Sequence, residues 1–430
     1  MPGEPPCPTT MIMELFQQYG DVVRYKTRYN TCYLINEPSL ADEVLQGENY
    51  LRTPLLTTIL GSGLLAVEGP RWKRQKKLMA PDFGPESIDG MVDCFVRVAR
   101  ERLAAWKKEA GDDGCLELTR EMERVALTNV GRTLFGIDPD DAFLDAFAVV
   151  LRDVSTIGNA SLFDLPLIRS VESNRQFQQA MTVVEEAVCP ALKDDTRPES
   201  QRPALLNTLR SARQGQNQVP LSEKELRDEI VTMLLAGHET TAVTLSWAFY
   251  SIACHSHVAE RFYAEVDDVV GQRVIEASDV PRLEYTRKIV DETLRLYPPV
   301  WVLARGAFRD DELGGYRIPA TSAVVVSPYV IHRHPDFWSD PERFDPERFD
   351  PSVERREVGT YLPFLHGRHV CLGKHFALTE TVVVLATIAQ RYRMHLVSDE
   401  PACYEPLTSL RIRGGLRVRL EERHNGGSDR

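Results

Sequence analysis

The chain has 430 residues and lacks long apolar runs: no window offers about 18 uncharged apolar residues, so we expect no membrane anchor. Its eight cysteines show no pairing-type spacing, and no basic region and apolar core of a secretory signal precedes them. A cytoplasmic protein is therefore expected. Basic residues are in deficit, 51 against 63 acidic ones, which argues against nucleic acid as a general partner.

Linkers are also missing, since no Gly/Ser-rich stretch and no abrupt change in composition divides the chain. We predict one domain over residues 1–430, with flexible ends at 1–14 and 422–430. Short β-rich runs occur at 22–26, 31–35, 316–318, 323–326 and within 407–420, while residues 70 to about 253 are mostly helical in pattern. The predicted fold class is mainly α with small β-sheets.

A cysteine, Cys371, lies between two glycines immediately before an apolar helical run at 372–391. A helix N-terminus favours an anionic sulfur. Gly367 can take a left-handed turn, Gly373 lets backbone approach a flat ligand, and Phe364 could cover the sulfur. The local pattern therefore suits a buried thiolate ligand, although a small buried hydrophobic cysteine fits it equally well.

Zinc is a second interpretation of this loop. Imidazoles and a thiolate are zinc ligands, and His366, His369, Cys371 and His375 fall within ten residues. No second Cys or His pair follows at zinc-finger spacing, which argues against that site.

A long helix is predicted at 221–254, opened by a capping box of Ser222 and Glu225. Its middle reads Ala236-Gly237-His238-Glu239-Thr240-Thr241. Glycine inside a helix costs about 1 kcal/mol against alanine, and an acid within an apolar run is also unfavourable. Taken locally, the segment fits a kink at which Thr240 bonds back to a carbonyl.

Two of these segments carry a family resemblance. The pattern Phe364-x-x-Gly367-x-x-x-Cys371-x-Gly373 resembles the haem-binding loop of the cytochrome P-450 family, the haem-thiolate monooxygenases, and residues 236–240 resemble its oxygen-binding helix. The resemblance is to the soluble bacterial members. It implies that haem b lies between the long central helix and the cysteine loop, with Cys371 as the axial iron ligand. Such a thiolate favours O–O cleavage.

The resemblance also implies roles for the other motif residues. Ala236 and Gly237 would leave room for dioxygen, Thr240 would hydrogen-bond it, and Glu239 would feed protons. The haem propionates would be held by residues from three segments: Arg305, Arg368 with His369, and Trp72 with Lys76, which replaces the family's Arg. Glu292, Arg295 and Arg348 would form a buried structural network.

Around Trp72, the sequence places Arg71, Lys73, Arg74, Lys76 and Lys77 within seven residues. This run predicts either a solvated helix face or a docking patch for an acidic electron donor. The resemblance implies a monomer that takes electrons from a ferredoxin or flavodoxin with an NAD(P)H-dependent reductase.

The expected activity is insertion of one oxygen atom from O2 into an apolar small molecule, by hydroxylation or epoxidation. By resemblance the pocket is lined by residues 55–65, 162–168, 234–236, 300–303 and 408–410, which are mostly aliphatic and favour a terpenoid or polyketide. The alternatives are a fatty-acid hydroxylase with Arg52 on the carboxylate, a hydrogen-peroxide-driven peroxygenase, and a haem-binding sensor without turnover. The Glu239–Thr240 pair argues against the peroxygenase.

Overall fold

A computed structural model gives the fold and describes residues 7–52, 57, 60–110, 114–164, 171–193, 198–213, 220–353 and 357–423. Its α-helices are α1 (Pro8–Tyr19), α2 (Pro38–Gln46), α3 (Gly69–Met79), α4 (Pro85–Asp89), α5 (Val92–Glu109), α6 (Leu118–Val130), α7 (Asp141–Phe163), α8 (Val171–Lys193), α9 (Ala204–Arg213), α10 (Glu223–Cys254), α11 (Ser256–Val269), α12 (Glu284–Leu296), α13 (Pro328–Ile331) and α14 (Lys374–Ala389). Short 3-10 turns, among them Pro346–Phe349 and Gly367–His369, join some of them.

The strands are β1 (Val22–Lys26), β2 (Thr31–Ile35), β3 (Tyr50–Arg52), β4 (Cys115–Glu117), β5 (Leu303–Ala307), β6 (Asp311–Leu313), β7 (Tyr316–Ile318), β8 (Ala323–Val326), β9 (Tyr392–Leu396), β10 (Tyr404–Pro406), β11 (Leu410–Ile412) and β12 (Arg417–Glu422). The largest sheet has the order β1-β2-β8-β5-β3, in which only β2 and β8 run parallel. A three-stranded sheet β4-β12-β9 and the hairpins β6-β7 and β10-β11 complete the set. The predicted class, mainly α with small sheets, is confirmed.

The central helix α10 organises the core. Its start follows from the sequence, because Ser222 and Glu225 form the predicted reciprocal capping box. At about 1.5 Å per residue its 32 residues span roughly 48 Å. It packs against α6, α12 and α14, and most of its side chains are buried. It therefore passes through the interior beside the helix that follows Cys371.

Some boundaries differ from the predictions. Residues 8–14, predicted to be flexible, belong to α1, because Ile12 is fully buried in a core cluster with Leu34 and Val325. At the other end Glu422 belongs to β12, whereas 424–430 lie outside the described residues. Strands β3, β4, β5, β6, β9 and β10 were not predicted, since patterns of three to five residues show alternation in some cases only.

Candidate active site

The loop before α14 places Cys371. Its amide donates a hydrogen bond of 2.9 Å to the carbonyl of Phe364, which closes the loop, and Phe364 is partly buried. Gly367 has φ +68°, and a Cβ there would meet the carbonyl oxygen of Leu45 at 2.8 Å. The predicted left-handed glycine is thus confirmed, and α2 packs close against it. At Gly373 an added Cβ would meet only Cys371 Sγ, at 4.0 Å, so backbone approach is open on that side.

The charge on Cys371 depends on a bound cation. Burial raises the pKa of its thiol, against the lowering effects of the Gly373 N–H, Lys374 and Lys76. The expected helix N-terminal effect is therefore outweighed in the protein alone. Coordination to a metal ion would deprotonate the thiol outright. The side chain presents accessible surface despite its protein surroundings, which leaves the sulfur open to such a ligand.

A group of cations lies near this loop. Antiparallel pairing of β3 with β5 sets Arg52 directly opposite Arg305. Burial, together with the charge of Arg52, lowers the pKa of Arg305 to about 10. Glu68 accepts hydrogen bonds from the Arg52 amide at 3.0 Å and from His369 Nε2 at 3.1 Å. Although burial raises the pKa of Glu68, the hydrogen bonds from His369 and the Arg52 amide lower it to about 2.

Helix α3 adds two residues to the same group. Trp72 is buried and its ring meets that of His369 edge-on, with centroids 4.5 Å apart. Lys76 Nζ lies 4.9 Å from the Trp72 ring and donates a 2.8 Å hydrogen bond to the carbonyl of Arg368. Burial and then Arg52 lower the pKa of Lys76, while Cys371 raises it, so the lysine lies between the cations and the sulfur.

These residues fit haem. Arg52, Arg305 and Lys76 are three partly desolvated cations, and the one carboxylate among them, Glu68, interacts with Arg52 and Arg305. Two further carboxylates, which haem carries as propionates, would neutralise the excess, and guanidinium groups suit carboxylate recognition. Sequence reasoning missed the role of Glu68 and assigned Arg52 to substrate, because only the strand pairing brings these residues to Arg305.

Arg368 does not join this group through its side chain. Its Nη1 lies 3.6 Å from Glu48, a side chain that is 85% exposed, so the guanidinium points toward the outer surface. Its role as a propionate donor stays a prediction, and its backbone carbonyl accepts the hydrogen bond from Lys76.

The histidines that were considered as zinc ligands have different hydrogen-bond partners in the structure. His366 Nδ1 lies 2.9 Å from Asp42 on α2, whereas His369 bonds Glu68. Over the part of the chain that the structure describes, no group of three or more His, Cys, Asp or Glu side chains is arranged to hold a metal ion.

On the central helix, Ala236, Gly237 and Thr240 are partly accessible between fully buried neighbours. The helix is unbroken there, and Thr240 Oγ1 donates to the carbonyl of Ala236 at 2.8 Å, the back-bond that local pattern predicted. A Cβ on Gly237 would meet Val130 Cγ2 of α6 at 2.5 Å. The close packing of α10 against α6 therefore requires glycine at position 237. From the sequence alone, we expected only that Gly237 would leave space for dioxygen.

Glu239 faces the C-terminal hairpin. Ser409 Oγ donates to its Oε1 at 2.5 Å and Arg411 Nη2 to its Oε2 at 3.0 Å. Sequence reasoning missed both partners, which no local signal marks. Next to it, His238 is fully buried, and neither ring nitrogen has a hydrogen-bond partner among the described residues. Burial, with the charges of Arg411 and Arg120, lowers its pKa to about 3.

The predicted structural network is present. Arg295 donates to both oxygens of Glu292, at 2.7 and 2.8 Å, and both side chains have no exposed surface. Arg348 Nε lies 3.4 Å from Glu292, and the Asp345 amide donates to the same carboxylate at 2.8 Å. Further Arg295 bonds reach the carbonyls of His332, Pro341 and Arg343. The network ties α12 to the segment that leads to the cysteine loop.

Comparison with known families agrees with this geometry. The model of the Cytochrome P-450 family matches residues 7–415. The chain belongs to the cytochrome P-450 family. As a cytochrome P-450 it is an oxidoreductase of the monooxygenase class, and its cofactor is haem with an axial cysteine thiolate.

Relatives of this cytochrome P-450 include two proteins of Streptomyces melanosporofaciens. One, cyclooctat-9-en-7-ol 5-monooxygenase, is 32% identical and aligns over 88% of this chain and 83% of its own. The other, cyclooctatin synthase, is 31% identical over 94% and 89%. The crystal structure of the cytochrome P450DA heme domain matches with a TM-score of 0.87 at 23% identity, covering 97% of this chain and 93% of that one, which shows the fold.

Of the segments expected to line the substrate pocket, residues 55, 56, 58, 59 and 165–168 lie outside the described residues. Among the described helices none is long and apolar enough to cross a membrane.

Proposed function

We propose that Cys371 is the axial ligand of haem iron and that this cytochrome P-450 inserts one oxygen atom into a terpenoid-type apolar substrate. The observation that carries the haem placement is the cation group around Glu68 beside the cysteine loop. Arg52, Arg305, His369 and Lys76 would bind the propionates, with Trp72 packing against them. When bound, haem would supply oxygen activation: one atom of O2 would go to the substrate, and the other, with two electrons from the donor and two protons, would leave as water.

The chain's own contribution is to supply protons and exclude water. Thr240 offers a hydroxyl on the accessible stripe of α10, and Glu239 is the adjacent acid. A positioned acid of this kind is worth about 10² to 10⁴ in rate. We predict that Thr240→Ala keeps substrate binding and NAD(P)H consumption but diverts electrons into hydrogen peroxide.

The measurement is product formed per NAD(P)H at saturating donor, compared between wild type and Thr240→Ala. Thr244→Val is the matched control, because Thr244 makes the same type of back-bond, to the Thr240 carbonyl at 2.8 Å, one turn further along. Full coupling in Thr240→Ala would mean that the threonine serves only the helix.

The substrate class rests on the relatives. The 32% identical one is named for acting on cyclooctat-9-en-7-ol, a compound of terpenoid metabolism. A fatty acid is the less favoured alternative, because the guanidinium of Arg52 already donates to the carbonyl of Leu64 at 2.7 Å within the cation group. The test is a spin-state titration of the haem-loaded protein with cyclic terpenoids, polyketides and fatty acids. Shifts with fatty acids alone would overturn the terpenoid assignment.

Electrons are proposed to come from a separate ferredoxin or flavodoxin with an NAD(P)H-dependent reductase. Turnover of a substrate found in that titration is measured with NADPH and surrogate partners, with hydrogen peroxide, and with neither. Product with NADPH supports the monooxygenase. Product only with peroxide would identify a peroxygenase, and binding without any product would identify a sensor.

A further inference from the structure

The segment from Pro406 to Arg411, which we call the hub segment, is hydrogen-bonded to both α7 and α10, two helices that also meet where the rings of Phe147 and His238 lie 6.1 Å apart. On one side it is bonded to α7. The Thr408 amide donates to Ser155 Oγ at 2.7 Å, and the two hydroxyl oxygens lie 2.5 Å apart. Asn159, one turn further along α7, donates to the carbonyl of Pro406 at 3.0 Å. A shift of α7 along its axis would therefore pull on the hub segment.

On its other side the hub segment holds Glu239 of α10. Ser409, next to Thr408, donates to Oε1, and Arg411 donates to Oε2. Glu239 and Ser409 are both buried, so these bonds are made away from solvent. Every oxygen of the carboxylate is thus engaged by the hub segment rather than by the Thr240 hydroxyl, which donates to Ala236.

Arg411 is shared with a second acid. Its Nη2 also donates to Glu123 of α6, a buried carboxyl whose pKa is raised by burial and by Glu239, against the effect of Arg411. Arginine keeps its proton in proteins and so cannot pass one on. While Glu239 accepts hydrogen bonds from Ser409 and Arg411 it has no proton to give, so it must leave Arg411 and take up a proton from solvent before it can pass one to the reaction.

We propose that Ser409 and Arg411 are positioning residues that hold Glu239 out of use until α7 moves the hub segment. The inference rests on the proposed role of Glu239 as proton donor. Substrate supplies the movement. Helix α7 ends at Phe163, whose ring stacks on that of Trp301 with centroids 5.5 Å apart. Both residues lie in segments that are expected to line the substrate pocket. The hydrogen bonds of the hub segment then couple substrate binding at the end of α7 to the release of Glu239 on α10.

Two sets of variants separate the two sides of the linkage. Arg411→Gln removes the hold on Glu239, so oxygen consumption without substrate should rise. Ser155→Ala with Thr408→Val removes the hydroxyl links to α7 and leaves only the Asn159 bond to Pro406, so product per NAD(P)H with substrate should fall. Linkages of this kind change such ratios about 2- to 30-fold. Arg411→Lys keeps a cation and should restore wild-type behaviour in part. Every variant is measured with the same donor and reductase at saturating concentration, so that differences in donor docking do not enter.

Thr156→Val is the matched control, because this neighbouring α7 hydroxyl bonds only back to Arg152 at 2.9 Å. A second readout needs no turnover: the unfolding midpoint of Arg411→Gln should drop further below wild type as pH rises from 5 to 8. The reason is that Glu123, a buried carboxyl, then loses the cation that lowers its pKa, so its folded pKa rises further.

Glu239→Gln separates the possible failures. If it leaves coupling unchanged, the proposed role of Glu239 fails. If it lowers coupling while Arg411→Gln and the Ser155/Thr408 pair behave as wild type, the positioning inference alone is overturned. A fall in unfolding midpoint that is equal at all pH values, with no change in the two ratios, would likewise reduce Arg411 to a structural role.

Discussion

Cys371 is the residue on which the haem assignment depends. Burial raises the pKa of its thiol, and coordination to a metal ion would favour the thiolate. We predict that Cys371→Ser abolishes the strongly red-shifted Soret band of the reduced carbon monoxide complex, because a hydroxyl cannot replace the electron-rich thiolate. Cys403→Ser, at an exposed cysteine, is the control and should keep the band. A red-shifted band that survived in Cys371→Ser would place the ligand elsewhere.

Glu380, also a single residue, gives a pH prediction. It lies fully buried on α14, and burial raises its pKa to about 8, against hydrogen bonds from Asn129 and Thr241. Because the folded pKa exceeds the unfolded value of 4.5, its contribution to stability is greatest below about pH 4.5 and is lost as pH rises toward 8. One pKa unit corresponds to about 1.4 kcal/mol, so the loss is on the order of a few kcal/mol.

Glu380→Gln keeps a neutral side chain at all pH values. Urea unfolding at pH 5 to 9 should therefore show this variant gaining stability relative to wild type as pH rises. Glu86→Gln, at an exposed glutamate of α4, is the control and should stay parallel to wild type. Parallel profiles for Glu380→Gln would mean that the buried carboxyl does not change its protonation in this range.

The role of a residue could be predicted from the sequence where its interaction partners lie close to it in the chain. Cys371 and Thr240 belong to continuous sequence motifs, and both side chains retain accessible surface in the structure. Arg52 and Arg411 acquire their neighbours through strand pairing and a hairpin, so no window of sequence shows them. Arg368 stays a prediction: its side chain lies 3.6 Å from Glu48, whereas its neighbour in sequence, His369, is buried and bonds Glu68.

The contact between α10 and α6 is the element-scale feature that explains Gly237. Alanine there would gain about 1 kcal/mol of helix propensity but force Val130 to move, and overpacking of this kind costs about 1 to 3 kcal/mol. We predict that Gly237→Ala destabilises the wild type, whereas in a Val130→Ala background it is neutral or stabilising. Chemical unfolding of the four proteins of this cycle measures the coupling. Equal effects in both backgrounds would show that Val130 does not limit the helix spacing.

Elements were predictable where a pattern runs long enough. The central helix begins within two residues of its predicted start, because the capping box is local, and it ends at the predicted Cys254. The helix after Cys371 is shorter than predicted at both ends, since Gly373 caps it and the next strand starts at Tyr392. The unpredicted β5 is decisive for the site, as it pairs with β3 and sets two arginines opposite each other. Three-residue strands derive their stability from such partners rather than from their own pattern.

At the scale of the whole molecule, the net charge is −12, so a basic surface would be a distinctive docking site for an acidic donor. In the folded protein, fewer basic residues of the predicted patch around Trp72 are exposed. Arg71 and Arg74 face Glu225, at 2.5 and 3.7 Å, and Lys76 turns inward to Arg368. Lys73 and Lys77 remain exposed on α3. The patch that could meet an acidic donor is therefore smaller than the run of five bases indicated.

We predict that Lys73→Gln with Lys77→Gln raises the apparent KM for a donor ferredoxin about 2- to 30-fold at low salt, the range expected for two exposed charge contacts. The difference from wild type should shrink as ionic strength rises, because exposed charges are screened beyond about 10 Å at 0.1 M. Lys107→Gln with Lys108→Gln is the matched control: it removes the same charge from two exposed lysines of α5 and keeps the net charge equal. If both pairs raise KM equally, the effect belongs to the overall charge of the molecule. If neither does, α3 presents only a solvated face and the donor docks elsewhere.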